Sequence, residues 1–336
     1  MERESTNEKQ SMVVVGAGQI GTPLVRRLVA MGHPVTWLSR TRPAEVPAGA
    51  VHLAVDARDA DAVARATSGA RAVIVAVNPA TYDAAVWARE LPPLHAGLIA
   101  GVGRSGARLV VLDALYLYET GAGPLRPDTP QRPSTEKGKV RKQLADMLVQ
   151  AQSAGALRAT TLRAPDFWGP GLRGALITDD ALAGLRRGKR PLVLGNPDAP
   201  HAFAYRDDVV DALITLALAD DHVEGQVFHA PVIHVSARAL VTALCAALQV
   251  DVQPRVAPRW VLRLAGLFDA SARGLVEMLP QWEQPYLVDD SAFCERFRVH
   301  ATTLEAGVAQ MIAAGRDDAH HEKRNTIGSA ALTPRA

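Results

Sequence analysis

The stretch VVVGAGQIGTPL, residues 13–24, constrains this chain more than any other. The unbroken apolar run from Met12 to Val15 is what a strand covered on both faces requires. A helical pattern follows at 20–32, with Leu24, Leu28 and Met31 on one stripe and Gly32 as its stop. Between strand and helix stand Gly16, Gly18 and Gly21, spaced G-x-G-x-x-G. In that setting each glycine has its own task. The first allows a tight turn, the second lets backbone approach a pyrophosphate, and the third lets the helix pack closely on the strand. An ordinary tight turn also uses glycines, but has no need of all three at the first strand–helix junction. The segment therefore points to a dinucleotide, held by Gly16, Gly18, Gln19, Ile20 and Gly21.

Strand patterns recur at 34–40 (PVTWLSR), 50–57 (AVHLAVDA), 71–78 (RAVIVAVN) and 107–118 (ARLVVLDALYLY), separated by helical patterns at 60–69 and 82–106. That order calls for a parallel sheet with right-handed crossovers. After a proline-rich loop at 124–133 come a long helix at 135–154 and a strand at 158–165. A helix near 175–188, a strand at 226–232 and helices at 236–249, 257–270 and 302–314 complete the pattern. The expected fold is α/β, a Rossmann doubly wound parallel sheet with a smaller, mostly helical C-terminal substrate lobe. Residues 11–165 form the dinucleotide-binding domain. Residues 166–315 supply the last sheet strands and the lobe, and residues 1–10 and 316–336 read as disordered tails.

Hydrophobic residues make up 48% of the chain and charged ones 21%, the balance of a soluble protein with a sizeable core. The 37 Lys and Arg are scattered among 35 acids, for a net charge of +2, which argues against a nucleic-acid partner. No apolar run reaches the roughly 18 residues a spanning helix needs, and the start, MERESTNEKQ, lacks the apolar core of a signal peptide. A cytoplasmic protein with no membrane partner is the expectation. Cys245 and Cys294 suit a reduced interior, and His320 and His321 in the C-terminal tail read as solvated, so no metal is expected.

An NAD site usually carries Asp or Glu at the end of the second strand, to hold the ribose hydroxyls. This chain has Ser39, Arg40 and Arg42 there. Two guanidinium forks and a hydroxyl suit a 2′-phosphate, so NADP (NADPH) is preferred over NAD; a pair of solvent-exposed arginines is the plainer alternative. Asp56, with Ala57, either meets the adenine amine or caps the next helix. Val77 and Asn78, at the end of the fourth strand, and Pro165 and Phe167, at and just after the end of the strand at 158–165, complete the candidate cofactor set.

With the glycine motif, four later stretches resemble the extended short-chain dehydrogenase/reductase superfamily in its NAD-dependent epimerase/dehydratase branch. They are LDALYLYE (112–119), PDTPQRPSTEKG (127–138), TLRAPDFWGPG (161–171) and FAYRDDVVDAL (203–213). The resemblance spans about residues 12–315. It implies a Ser or Thr at the end of the fifth strand and a Tyr-x-x-x-Lys on the following helix, the tyrosine exchanging a proton with the substrate oxygen. Here the hydroxyl position falls on Ala114, the tyrosine position on Lys137 or Gly138, and the lysine position on Arg141 or Lys142. The resemblance also implies a homodimer built on helices 82–106 and 135–154, although Lys139, Arg141, Lys142 and Asp146 on the second helix leave a monomer open.

Hydride transfer to a carbonyl leaves an alkoxide that needs a proton. Tyr116 with a basic neighbour, Lys137 or Lys142, is the candidate set; alternation places Tyr116 and Tyr118 on one face, where both rings could equally be packing residues. Asp166 could turn to the cofactor or make a turn, Arg206 could meet an anion or pair with Asp207 or Asp208, and His229 and His234 read as core or surface histidines. Two functions follow. One is an NADP(H)-dependent reductase or epimerase-like enzyme for a small carbonyl or hydroxyl substrate; the other is a non-catalytic NADP(H)-binding sensor or regulator.

Overall fold

The computed structural model describes residues 10–121 and 123–315. The expected C-terminal tail with His320 and His321, and the first nine residues, lie outside them. The first half alternates strand and helix: β1 Met12–Val15, α1 Gly21–Ala30, β2 Val35–Ser39, β3 Ala50–Ala54, α2 Ala60–Thr67, β4 Ala72–Val75, α3 Ala84–Ser105, β5 Arg108–Ala114, α4 Glu136–Ser153 and β6 Arg158–Ala164. The second half is more mixed: β7 Asp166–Trp168, α5 Asp179–Arg186, β8 Leu192–Val193, β9 Pro200–Tyr205, α6 Arg206–Leu218, β10 Val227–His229, β11 Ile233–Ser236, α7 Ala237–Leu248, β12 Arg255–Val256, α8 Arg259–Ala265, α9 Ala270–Glu283, α10 Ser291–Phe297 and a last helix, α11, at 304–315.

Seven strands form one parallel sheet in the order β10-β6-β5-β4-β1-β2-β3. The apolar runs of β1 and β4 are buried along their whole length, as a strand covered on both faces must be. Alternate side chains serve alternate layers. Met12 and Val14 join Leu24, Val25 and Leu28 of α1 and Leu213 of α6, whereas Val13 and Val15 join Leu98 and Val102 of α3 and Leu148 of α4. At the outer edge β3 is less covered, and Val51 and Leu53 stay exposed. Met31, expected on the buried stripe of α1, is instead its exposed C-cap.

The sequence pattern anticipates every strand of this sheet. It does not reveal the second sheet, β11-β9-β7, the short ribbon β12-β8, or helices α9 and α10. The second sheet matters because β7 continues directly from β6 at the carboxyl edge of the main sheet, where open α/β folds place their sites. Helix α9 then lies over that edge. Gly274 is what allows it, since a Cβ there would come within 1.8 Å of the Tyr82 carbonyl oxygen.

Candidate active site

The glycine turn has the geometry its three tasks demand. Gly16 has φ +115°, and a Cβ on it would sit 2.5 Å from the Ala76 carbonyl oxygen of the neighbouring strand exit. A Cβ on Gly21 would sit 2.1 Å from the Gly16 carbonyl oxygen, so the helix can approach only as glycine. Gly18 differs: a Cβ there meets nothing of the protein within 4 Å, which leaves the space above the turn open. Trp37, fully buried on β2, fixes the turn from below by donating Nε1–H to the Gly16 carbonyl at 2.8 Å. The N-terminus of α1 has no side-chain cap and no acidic residue in its first turn. Thr22 N–H donates to the Gly18 carbonyl and Pro23 has no N–H, so within that turn it is the Gly21 N–H that is left for an anion. An open cradle above this uncapped N-terminus fits a dinucleotide pyrophosphate. Ile20 can serve only through its backbone, because its side chain is in the core. The Gln19 carboxamide oxygen accepts from the Arg173 N–H at 2.9 Å, tying the cradle to the loop before α5.

At the end of β2, Ser39 donates to the Thr41 carbonyl at 2.7 Å and lies 2.9 Å from Nε2 of His52. Arg40 and Arg42 are exposed and form no ion pair with the described residues. Asp56 neither caps α2 nor stands free. Asp59 is the cap, accepting from the N–H groups of Asp61 and Ala62, while Arg58 grips the Asp56 carboxylate and holds its pKa at about 2. Ala57 is buried beside α2 and α3, and Val77 lines the Gly16 turn. The Asn78 carboxamide accepts from Arg141 at 2.6 Å. Pro165 is buried, and Phe167 packs at the edge of the main core.

Around the exit of β5 the structure departs from expectation. Strand β5 ends at Ala114 and a turn follows, closed by the Tyr118 N–H on the Leu115 carbonyl. Tyr116 and Tyr118 therefore do not share a face. The Tyr116 ring stacks on Trp87, centroids 6.2 Å apart, and its hydroxyl accepts from Tyr82 at 3.0 Å. Burial, reinforced by the Asp166 charge, pushes its pKa above the usual tyrosine value. Tyr118 borders the same cleft, but its ring packs in the main core rather than against Trp87. His229 Nδ1–H donates to the Asp289 carbonyl at 3.0 Å, so its Nε2 is the acceptor for the Tyr118 hydroxyl at 3.1 Å. Burial lowers the His229 pKa to about 4, so the ring stays neutral. Arg163 in turn donates to the Tyr118 oxygen.

Helix α4 turns Lys137, Gly138, Val140, Arg141, Leu144, Ala145 and Leu148 inward. The resemblance left its register open by one residue; this inward face holds Lys137 and Arg141, four apart, and leaves Lys142 outside it. Lys142 is thereby corrected as a site residue: it lies on the outer face, paired with Asp146 at 2.8 Å. Lys137 is corrected as a free acid. Its side chain is fully buried, and its ammonium donates to Glu277 at 2.7 Å and to the Gly274 carbonyl at 2.9 Å. It also lies 4.2 Å above the Tyr82 ring, so every N–H direction is taken. Burial lowers its pKa, and Glu277 opposes that shift.

Arg141, which the sequence reading left as one of two candidates for the lysine position, bridges Asn78 and Asp113 and stacks over Trp87 at 4.6 Å. Asp166 at the start of β7 accepts Nε2–H of His201 at 2.8 Å, and that ring stacks on Trp282 at 4.0 Å. Arg206 pairs with Asp207, the plainer of its two expected fates. The cleft at the sheet edge is lined by Tyr116, Ser134, Thr135, Glu277, Gln281 and Tyr286, three of them from α9 or the loop after it. The residues missed are those of α9 and the Asp166–His201 pair. The periodic apolar face of α4 would have found Arg141 and dismissed Lys142; nothing local in sequence marks Glu277.

The family model for the NAD dependent epimerase/dehydratase family matches residues 12–230. Among solved structures, the chain is similar to UDP-glucose 4-epimerase from Thermotoga maritima, at 18% identity and TM-score 0.74, over 92% of this chain and 99% of that one. It is similar to UDP-glucuronic acid 4-epimerase from Bacillus cereus in complex with NAD, at 13% identity and TM-score 0.74, over 91% and 99%. A third is dTDP-glucose 4,6-dehydratase from Streptomyces venezuelae with NAD bound, at 18% identity and TM-score 0.72, over 91% and 97%. No curated protein matched in sequence. With the match covering well over half its length, the chain belongs to the NAD-dependent epimerase/dehydratase family.

Proposed function

We propose that this chain is an NADP(H)-dependent oxidoreductase that reduces a small carbonyl substrate, with Tyr116 as proton donor in place of the family's tyrosine. The observation that carries the reading is the Tyr82–Tyr116 hydroxyl pair at the cleft, beside an intact nucleotide cradle. Gly16, Gly18, Gly21 and the first turn of α1 would hold the pyrophosphate, and Arg40 and Arg42 a 2′-phosphate. Two of the solved relatives named above carry NAD, but this chain offers Ser39, Arg40 and Arg42, with no carboxylate, at the end of β2.

A bound NADPH supplies hydride. The protein's task is then to deliver a proton to the substrate oxygen and to tolerate the phenolate left behind. A raised pKa keeps Tyr116 protonated at neutral pH, as a donor must be. The Tyr82 hydroxyl, already donating to the Tyr116 oxygen, stabilises the phenolate, and the Arg141 charge favours it. Tyr286 at the cleft, with Tyr82 and Trp87 packed against Tyr116, would keep water from competing for the developing charge.

One observation favours a second reading, a non-catalytic NADP(H)-binding regulator: Glu277 and α9 cover the position from which the family's tyrosine would act. NADPH and NADH titrations by fluorescence, followed by NADPH oxidation against aldehydes, ketones and keto sugars, separate the two. Turnover lost in Tyr116→Phe with NADPH binding retained supports the reductase. Tight NADPH binding with no turnover on any carbonyl favours the regulator, and binding of neither nucleotide refutes both.

A further inference from the structure

Outside the cleft, helix α8 and the turn after it break the rule that apolar stripes are buried. Trp260, Val261, Leu264, Leu267 and Phe268 recur at i, i+1, i+4, i+7 and i+8, the spacing of one helical face. That face points outward, with exposures of 68, 39, 52, 70 and 87%. The buried side of α8 is carried by Leu262. The N–H groups of Gly266, Leu267, Phe268 and Asp269 continue the helical turn onto the carbonyls of Leu262, Leu264 and Ala265, so the stripe is one ridge. A single exposed apolar residue is ordinary; five on one ridge mark a docking surface.

Charge identifies what it docks on. Residues 252–268 contain Arg255, Arg259 and Arg263 and no carboxylate. Pairing of β12 with β8 sets this segment beside the run at 186–195, which holds four cations and again no carboxylate. Arg259 is neutralised by Glu283, but Arg255 and Arg263 form no ion pair with the described residues. A second copy seated on the same ridge would bring two basic rims together. An anionic lipid surface instead meets the rim with opposite charge and the ridge with hydrocarbon, and tryptophan favours that boundary.

We propose that the ridge at 259–268 docks the protein peripherally on anionic bilayers, Leu267 and Phe268 entering the interface while Arg255 and Arg263 face headgroup phosphates. This departs from the expectation of no membrane partner, which rested on spanning runs. No helix among the described residues is long and apolar enough to cross a membrane, but lying on one needs only a single apolar face.

The test uses the full chain with vesicles of phosphatidylcholine alone or mixed with phosphatidylglycerol. Trp37, Trp87, Trp168 and Trp282 are buried, so a change in tryptophan emission reports chiefly on Trp260. The expected result is flotation with the anionic vesicles, weakened by salt, with blue-shifted emission quenched by brominated lipid. Arg255→Ala and Arg263→Ala should each weaken binding roughly fivefold. Leu267→Ser with Phe268→Ser should abolish it while leaving the melting temperature and nucleotide binding unchanged. Failure to float with anionic vesicles overturns the proposal, whether the protein is then monomeric or a dimer that shields Trp260. Undiminished flotation of the serine variant overturns it too.

Discussion

Replacing Glu277 by glutamine tests whether Lys137 is a structural cation or a latent acid. The substitution keeps the side-chain volume but removes the charge that meets the Lys137 ammonium at 2.7 Å and weakens acceptance of the Lys137 N–H at 2.9 Å. Breaking a buried ion pair costs about 3–5 kcal/mol. Glu277 is itself 21% exposed, and the Gly274 carbonyl remains, so about 2–3 kcal/mol at neutral pH is expected, a fall in Tm of roughly 3–4 °C for a chain of this length. The sign with pH follows from the proton count. Burial already lowers the Lys137 pKa below its ordinary 10.5, and losing Glu277 lowers it further. Between the folded and unfolded pKa values the unfolded chain holds more protons, so stability rises with pH across that window. The Glu277→Gln deficit should therefore shrink as pH approaches 10.5, where both states shed the lysine proton. Lys137→Met removes the buried charge itself and leaves a carboxylate that water can reach, so its cost should be smaller, about 1 kcal/mol, and nearly independent of pH. Urea unfolding of both variants at neutral and alkaline pH measures all of this. A Lys137→Met penalty as large as that of Glu277→Gln, with no pH dependence in either, would refute the argument. So would loss of turnover in Lys137→Met at wild-type stability, which would make the lysine the donor.

The remaining predictions concern the cradle and the proton. Arg40→Ala and Arg42→Ala should each weaken NADPH binding about tenfold, the worth of one charge-assisted contact, and leave NADH binding unchanged in the same titration. Gly18→Ala should melt like wild type yet bind NADPH poorly, whereas Gly21→Ala, with a Cβ 2.1 Å from the Gly16 carbonyl, should lose about 1–3 kcal/mol in urea unfolding as well. Reductase activity should show no alkaline loss in the ordinary tyrosine range near pH 10, because the Tyr116 pKa lies above it; a pH–rate profile falling there would exclude Tyr116 as donor. Tyr118→Phe should cost about 1–3 kcal/mol, since it strips a partner from Arg163 and from buried His229.

What could be read from the sequence was local, and what could not was carried by distant pairs. The glycine turn was legible because its three glycines, strand and helix are contiguous, and the main sheet because its strands are buried runs a few residues long. The same logic misplaced Tyr118: alternation holds only within a strand, and β5 stops at Ala114, two residues before the first tyrosine of the pair. Lys142 was misplaced although Val140, Leu144 and Leu148 on α4 already marked the buried face, one that includes Arg141 and excludes Lys142. Lys137 is a different case. Its partner lies 140 residues downstream on a helix that carries an internal proline and that the sequence pattern did not reveal, so no periodicity could join them. The Asp166–His201 pair is similar, joining β7 and β9 of a sheet whose strands are only three and six residues long. Lys137 and the α9 contacts therefore form one structural unit. Once position 137 is a lysine in a buried place, it needs a carboxylate, and Glu277 can supply one only if α9 lies close enough to cover the cleft.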